Sequence, residues 1–140
     1  MSSKKFVDRM RFMKNNNLAN TIWAEKAYSI TSRTSKKSYV PTSVKKMLVV
    51  ADIVRWKDVV EAMELLQHLP QKAAGILYKL VKSAYYNAIN NAKLDKNNLY
   101  IERIDLGRWS KIKRIRFASR SRIHWYVKHR SFVRVVLNSK

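Results

Sequence analysis

The sequence predicts an α+β fold: three helices packed on a small antiparallel sheet, with a long protruding β-hairpin and a basic N-terminal extension. Three observations carry this expectation. Apolar residues recur at helical spacing through residues 44–91, whereas from Leu99 onward apolar and cationic residues interleave with strand composition. Residues 106–140 hold eleven of the thirty Lys and Arg but no Asp or Glu. Only two Gly and two Pro occur in 140 residues, which favours long regular elements with few tight turns.

The length suits one domain with appendages. A formal charge of +21 and a pI near 10.6 point to nucleic acid or an anionic membrane as the partner. No run of eighteen apolar residues exists to span a bilayer. Without Cys there is neither a disulfide framework nor a thiolate metal site, so stability must come from packing and from the partner.

Residues 1–37 read as a basic extension, with nine Lys or Arg against Asp8 and Glu25. Phe6, Met10 and Met13 fall at helical spacing among Lys4, Lys5, Arg9, Arg11 and Lys14. An amphipathic targeting helix and an arm lying on RNA share that composition, while the apolar core of a secretory signal is lacking. Residues 38–140 form the domain. A short strand at 38–40 is stopped by Pro41, and Thr42 or Ser43 caps a helix running to about Val54. Its buried face is Val44, Met47, Leu48, Ala51 and Val54. Lys45 and Lys46 sit at the positive end of that helix dipole, which is unfavourable unless an anion lies nearby.

Asp58 followed by Glu61 resembles a capping box and opens a second helix to about His68, with Val59, Ala62, Met63, Leu66 and Leu69 as its buried stripe. Pro70 suits the first turn of a third helix, 71–91. Its inner face is Ala73, Leu77, Leu80, Ala84 and Ala88, flanked by Ile76 and Val81. After a loop at 94–96, residues 99–106 alternate Tyr100, Glu102, Ile104 and Leu106 against Leu99, Ile101, Arg103 and Asp105, a strand that feeds the basic tail.

Within the tail, two β-rich runs flank residues 118–122, so a hairpin at about 108–131 turns there. Arms of about twelve residues at about 3.3 Å each reach on the order of 40 Å. A ribbon of two strands encloses no core and is marginal alone. A polyanion would order it, its phosphates meeting the cations while aromatics pack on nucleotides. The bland alternative is a solvated basic face on an ordinary sheet. A membrane-surface role wants apolar and cationic residues on opposite faces, yet in the first arm Ile112, Arg114 and Arg116 share one face and Lys113, Ile115 and Phe117 the other, which is poor segregation, so no membrane partner is expected. A nucleoid-like DNA-binding ribbon is the remaining alternative. Catalysis has no constellation to rest on: His68, His124 and His129 share no ligand spacing with one another or with a carboxylate, and neither metal nor cofactor is expected.

The stretch Thr42-Ser-Val-Lys-Lys-Met-Leu-Val-Val-Ala-Asp-Ile-Val-Arg-Trp-Lys57 resembles the opening helix of the large-subunit ribosomal protein L twenty-two family, which typically reads S-x-x-K-x-R-L-V-A-D-L-I-R-G-K. The likeness continues in order through Val60-Glu-Ala-Met-Glu-Leu-Leu66, Gln71-Lys-Ala-Ala74, Lys82-Ser-Ala84, Asn87-Ala88, Leu94-Asp95, Asp105-Leu-Gly107 and Lys113-Arg114-Ile115, and on to Val135-Val136. It implies a body on the outer face of the large ribosomal subunit, and a hairpin running inward along ribosomal RNA to line the peptide exit tunnel. The implied partners are large-subunit RNA, neighbouring ribosomal proteins and the nascent peptide. The implied tunnel tip is Ala118, Ser119, Arg120, Ser121, Arg122 and Ile123. Arm contacts to RNA are Lys111, Lys113, Arg114, Arg116, Lys128 and Arg130, joined by Arg108, Lys45, Lys46 and the tip residues Arg120 and Arg122. Trp56 stands where the family usually has Gly, so the turn there avoids positive φ or carries strain. Phe117, Ser121 and Phe132 replace a usual Pro, Gly and His. With Ser121 at the tip, a left-handed turn is less comfortable, and RNA contacts would hold it. The extension is longer than typical bacterial members carry, which favours an organellar, mitochondrial ribosome over the bacterial cytoplasm.

Overall fold

The computed structural model describes residues 33–140; the basic helix considered around Phe6, Met10 and Met13 lies outside them. The elements run β1 (Thr34–Val40), α1 (Val44–Val54), α2 (Val59–His68), α3 (Lys72–Asn90), a 3₁₀ turn at Lys96–Asn98, β2 (Leu99–Phe117) and β3 (Ile123–Ser139). The strands form one antiparallel sheet in the order β1-β3-β2, and the three helices share a single apolar core with it. This is the expected α+β architecture, with β3 as the central strand.

Strand β1 starts at Thr34, earlier than the short strand expected at 38–40. Thr34 to Lys37 pair with Val136 to Val133, so the apolar partner lies a hundred residues away and the Ser/Thr/Lys segment reads locally as a loop. As an edge strand it turns Lys36 and Lys37 to solvent, which discourages further strand addition. Asn87 Nδ2 of α3 donates to the Thr34 carbonyl at 2.9 Å and ties this edge to the helices.

The helices match their expected spans within a residue or two, but two details differ. In α1 the buried residues are Met47, Val50, Ala51 and Val54. Val50 takes the place expected of Leu48, which is 43% exposed; the stripe is rotated because α1 packs against both α3 and β2. The capping box of α2 does not form. Asp58 makes no side-chain cap bond and instead pairs with Lys140 Nζ at 2.7 Å, while Glu61 pairs with Lys57. Pro70 precedes the N-cap Gln71 rather than lying in the first turn of α3. The alanines of α3, Ala73, Ala74, Ala84 and Ala88, are all buried, and their small side chains let the other elements approach closely.

Three bulges shape the sheet. The first gives β2 an extra residue, Glu102, between the pairs Ile101–Leu137 and Arg103–Val136. Strict alternation would put Leu99 and Ile101 on one face and Ile104 and Leu106 on the other; the extra residue inverts the phase. Leu99, Ile101 and Ile104 are therefore buried, with Leu106 packed against them. The second bulge, between Trp109 and Ile112, marks the root of the hairpin. The third lies in β1 between Lys37 and Val40, where Tyr39 has φ 60°.

The turn from α1 to α2 takes the strained option. Trp56 has φ 66°, held by main-chain bonds on either side: Trp56 N–H donates to Ile101 O at 3.1 Å and Ile101 N–H to Lys57 O at 3.0 Å. A left-handed non-glycine residue costs on the order of 1–2 kcal/mol, and these two bonds to β2 hold it there.

Candidate nucleic-acid interface

Beyond the core the sheet narrows to β2 and β3, and from Arg108 to Arg130 nearly every side chain is exposed, with Ile112, Ala118 and Arg130 the exceptions. The arms pair without interruption from Ile112–Lys128 to Phe117–Ile123, and residues 118–122 close the ribbon as expected. Arg120 and Ser121, the two central residues of the turn, have φ of 56° and 59°. Arg122 N–H donates back to Ser119 O at 3.4 Å and Ala118 N–H to Arg122 O at 2.8 Å. Two positive φ values in succession mark the mirror-image turn whose twist matches a hairpin. Arg-Ser occupies the place where Asn-Gly is the comfortable pair.

The pairing sorts the ribbon into two faces. Opposed residues of an antiparallel pair point the same way. One face therefore holds Ile112 with Lys128, Arg114 with Tyr126, and Arg116 with His124. The other holds Lys113 with Val127, Ile115 with Trp125, and Phe117 with Ile123. The first is cationic and the second apolar save for Lys113. The poor segregation expected from the first arm alone is corrected here, since the second arm adds its apolar residues to the face of Ile115 and Phe117.

The hairpin root meets the N-terminus of α1. One cavity is lined by Ser43, Val44 and Lys45 of the helix start and by Arg108, Lys111, His129 and Arg130 of the ribbon. An adjoining cavity, which shares Ser43, His129 and Arg130, adds Lys46, Lys72, Arg114 and Lys128. Seven of the cations named from the sequence thus gather here: Lys45, Lys46, Arg108, Lys111, Arg114, Lys128 and Arg130. Lys113 points from the apolar face, Arg116 stands further along the cationic one, and Arg120 and Arg122 form the tip.

The electrostatics favour an anion in this cleft. Ser43 gives α1 no side-chain cap and the first turn holds no acid. Met47 N–H bonds to Ser43 O, but the earlier amides of the helix have no intrahelical acceptor. Thr42 Oγ1, lining the second cavity, has no hydrogen-bond partner among the described residues. Four carboxylates are engaged elsewhere: Asp105 with Arg134 at 2.6 Å, Asp52 with Arg55 at 3.2 Å, Asp58 with Lys140, Glu61 with Lys57. Among the described residues no cation between Arg108 and Arg130 forms an ion pair with a carboxylate.

Sequence reasoning missed Lys72 and an aromatic group at the root. Tyr39 meets Trp109 edge-on with centroids 5.3 Å apart, Trp109 stacks near Phe132 at 6.1 Å, and the Arg130 guanidinium lies 5.6 Å from the Tyr39 ring centroid. Lys72 carried a readable signal, a lysine opening a helix against its dipole as at Lys45 and Lys46. The aromatic group carried none, because it depends on the β1 bulge that turns Tyr39 outward. Among the described residues no cluster of His, Asp or Glu could hold a metal.

Comparison with known proteins accords with this architecture. Residues 35–138 match the family model described as ribosomal protein L22p/L17e. The chain belongs to that family. Relatives named large ribosomal subunit protein uL22 include that of Lachnoclostridium phytofermentans, 38% identical over 79% of this chain and 86% of the relative. That of Syntrophotalea carbinolica is 40% identical over 76% and 96%, and that of Lacticaseibacillus casei 33% identical over 81% and 97%. The family match begins at Ser35, so it includes most of β1, both strands of the hairpin and all three helices of the L22p/L17e fold.

Proposed function

We propose that this chain is a structural, non-catalytic constituent of the large ribosomal subunit that binds large-subunit RNA with its hairpin and with the cleft at the hairpin root. The observation that carries the reading is the set of uncompensated cations. Lys45, Lys46, Lys72, Arg108, Lys111, Arg114, Lys128 and Arg130 surround adjoining cavities at a bare helix N-terminus. Phosphates of a folded RNA would supply both the counter-charge and the acceptors for the free amides. Neighbouring ribosomal proteins are further partners. The tip, residues 118–123, would line the exit tunnel and meet the nascent peptide, a role supported by its distance along the ribbon from the body.

The reading keeps a basic extension at 1–37 before a domain at 38–140, except that Thr34 to Lys37 pair with β3 and so belong to the sheet. The relatives named above are bacterial, which supports the bacterial cytoplasm; the mitochondrial preference drawn from the extension finds no support in them. Co-sedimentation of the endogenous protein with large subunits in a sucrose gradient tests the reading, and recovery only in the free-protein fractions would overturn it.

A further inference from the structure

The cationic face and the root cleft account for phosphates, but they leave the other face of the ribbon unexplained. There Phe117 is 82% exposed and Trp125 68%, with Ile115, Ile123 and Val127 also open to solvent. Rings so exposed on a two-stranded ribbon have no packing role among the described residues. Their occupant is constrained by what surrounds them. Arg114, Arg116 and Lys128 project from the opposite face, and Arg120 and Arg122 crown the tip. A membrane covers one side only, so a ribbon lying on it by its apolar face would hold those three cations away from the headgroups. A folded RNA can envelop the ribbon and engage both faces at once.

The ring positions suggest how. Phe117 and Trp125 are diagonal neighbours on the apolar face, since Phe117 pairs with Ile123 and Trp125 with Ile115. Diagonal positions on an antiparallel pair lie about 7–8 Å apart, somewhat less between Cβ atoms. Two rings sandwiching a base need about twice the ~3.4 Å step between stacked bases. We propose that Phe117 and Trp125 clamp an unpaired nucleobase between their rings while the cations of the opposite face hold phosphates. The inference rests on the RNA-binding reading and adds its ligand on this face, an unstacked base.

The test uses the full chain and three probes: poly(U), whose bases are unpaired and unstacked; inorganic polyphosphate, a polyanion without bases; and vesicles of mixed phosphatidylglycerol and phosphatidylcholine. Phe117→Ala and Trp125→Ala should each weaken poly(U) binding by roughly tenfold, as loss of one stacked base does, and leave polyphosphate binding unchanged. Trp125→Phe should restore most of the poly(U) affinity. Unchanged poly(U) affinity in the alanine variants, or equal loss toward both polyanions, would overturn the clamp while leaving phosphate binding intact. Loss confined to vesicle binding would overturn it in favour of a membrane surface. If the wild-type chain binds neither polyanion in a salt-dependent way, the RNA reading falls and the clamp with it.

Discussion

Replacing Trp56 by Gly and by Ala separates backbone strain from side-chain packing. Trp56 has φ 66° and its residue is 66% exposed. Both substitutions remove the indole and forfeit the same partial burial, so their difference reports the backbone alone. Alanine keeps the left-handed cost of about 1–2 kcal/mol. Glycine escapes it but loses about 0.4–1 kcal/mol through the larger freedom of its unfolded chain. The glycine variant should therefore be the more stable by about 0.8 kcal/mol, the difference between the midpoints of those two terms. Urea unfolding of the full chain followed by far-UV circular dichroism measures it, without relying on the altered tryptophan signal. The slope of stability against urea should match in the two variants. An alanine variant as stable as the glycine one, or more so, would show that the α1–α2 turn is not held in the left-handed region and that its bonds to Ile101 relax.

Other consequences follow from the exposed ribbon. Affinity for a large-subunit RNA fragment, measured by filter binding, should fall by orders of magnitude between ~50 and ~200 mM salt if several phosphates are neutralised; a flat profile would contradict the cationic cleft. Amide exchange on the free protein should protect α1, α2 and α3 while leaving residues 111–128 unprotected, because the ribbon buries no core of its own; equal protection would mean that the ribbon is stable without a partner. In the RNA-bound protein, where the ribbon is ordered, Ser121→Gly should relieve a left-handed residue at the tip and slow exchange of the Ala118 and Arg122 amides, and an unchanged rate there would argue against the mirror-image turn. Deleting residues 119–122 should leave incorporation into large subunits intact but alter the macrolide sensitivity of those ribosomes; exclusion of the variant from subunits would overturn the placement of the tip at the tunnel.

The sequence by itself determined the features that depend on near neighbours. Helical recurrence of Met47, Ala51 and Val54, of Val59, Ala62 and Leu66, and of Ala73, Leu77, Leu80, Ala84 and Ala88 located the three helices, because a 3.6-residue period must bury one stripe. The β-rich runs on either side of residues 118–122 located the hairpin, and the lack of acids in residues 106–140 announced a polyanionic partner. Only the tertiary structure decided matters that relate distant segments. Which of Leu48 and Val50 is buried depends on the elements α1 packs against. Thr34 to Lys37 become strand only because Val133 to Val136 offer them an edge. Asp58 abandons its cap for Lys140 at the other end of the chain. The two-faced character of the hairpin is the clearest case. The second arm alternates Ile123, Trp125 and Val127 against His124, Tyr126 and Lys128, but only the pairing sets those apolar residues beside Ile115 and Phe117. A shift of one residue in the pairing would mix Trp125 and Ile123 with Arg114 and Arg116. Register between strands is a global choice, set here by the bulges at Glu102 and before Ile112, and no local pattern reports it.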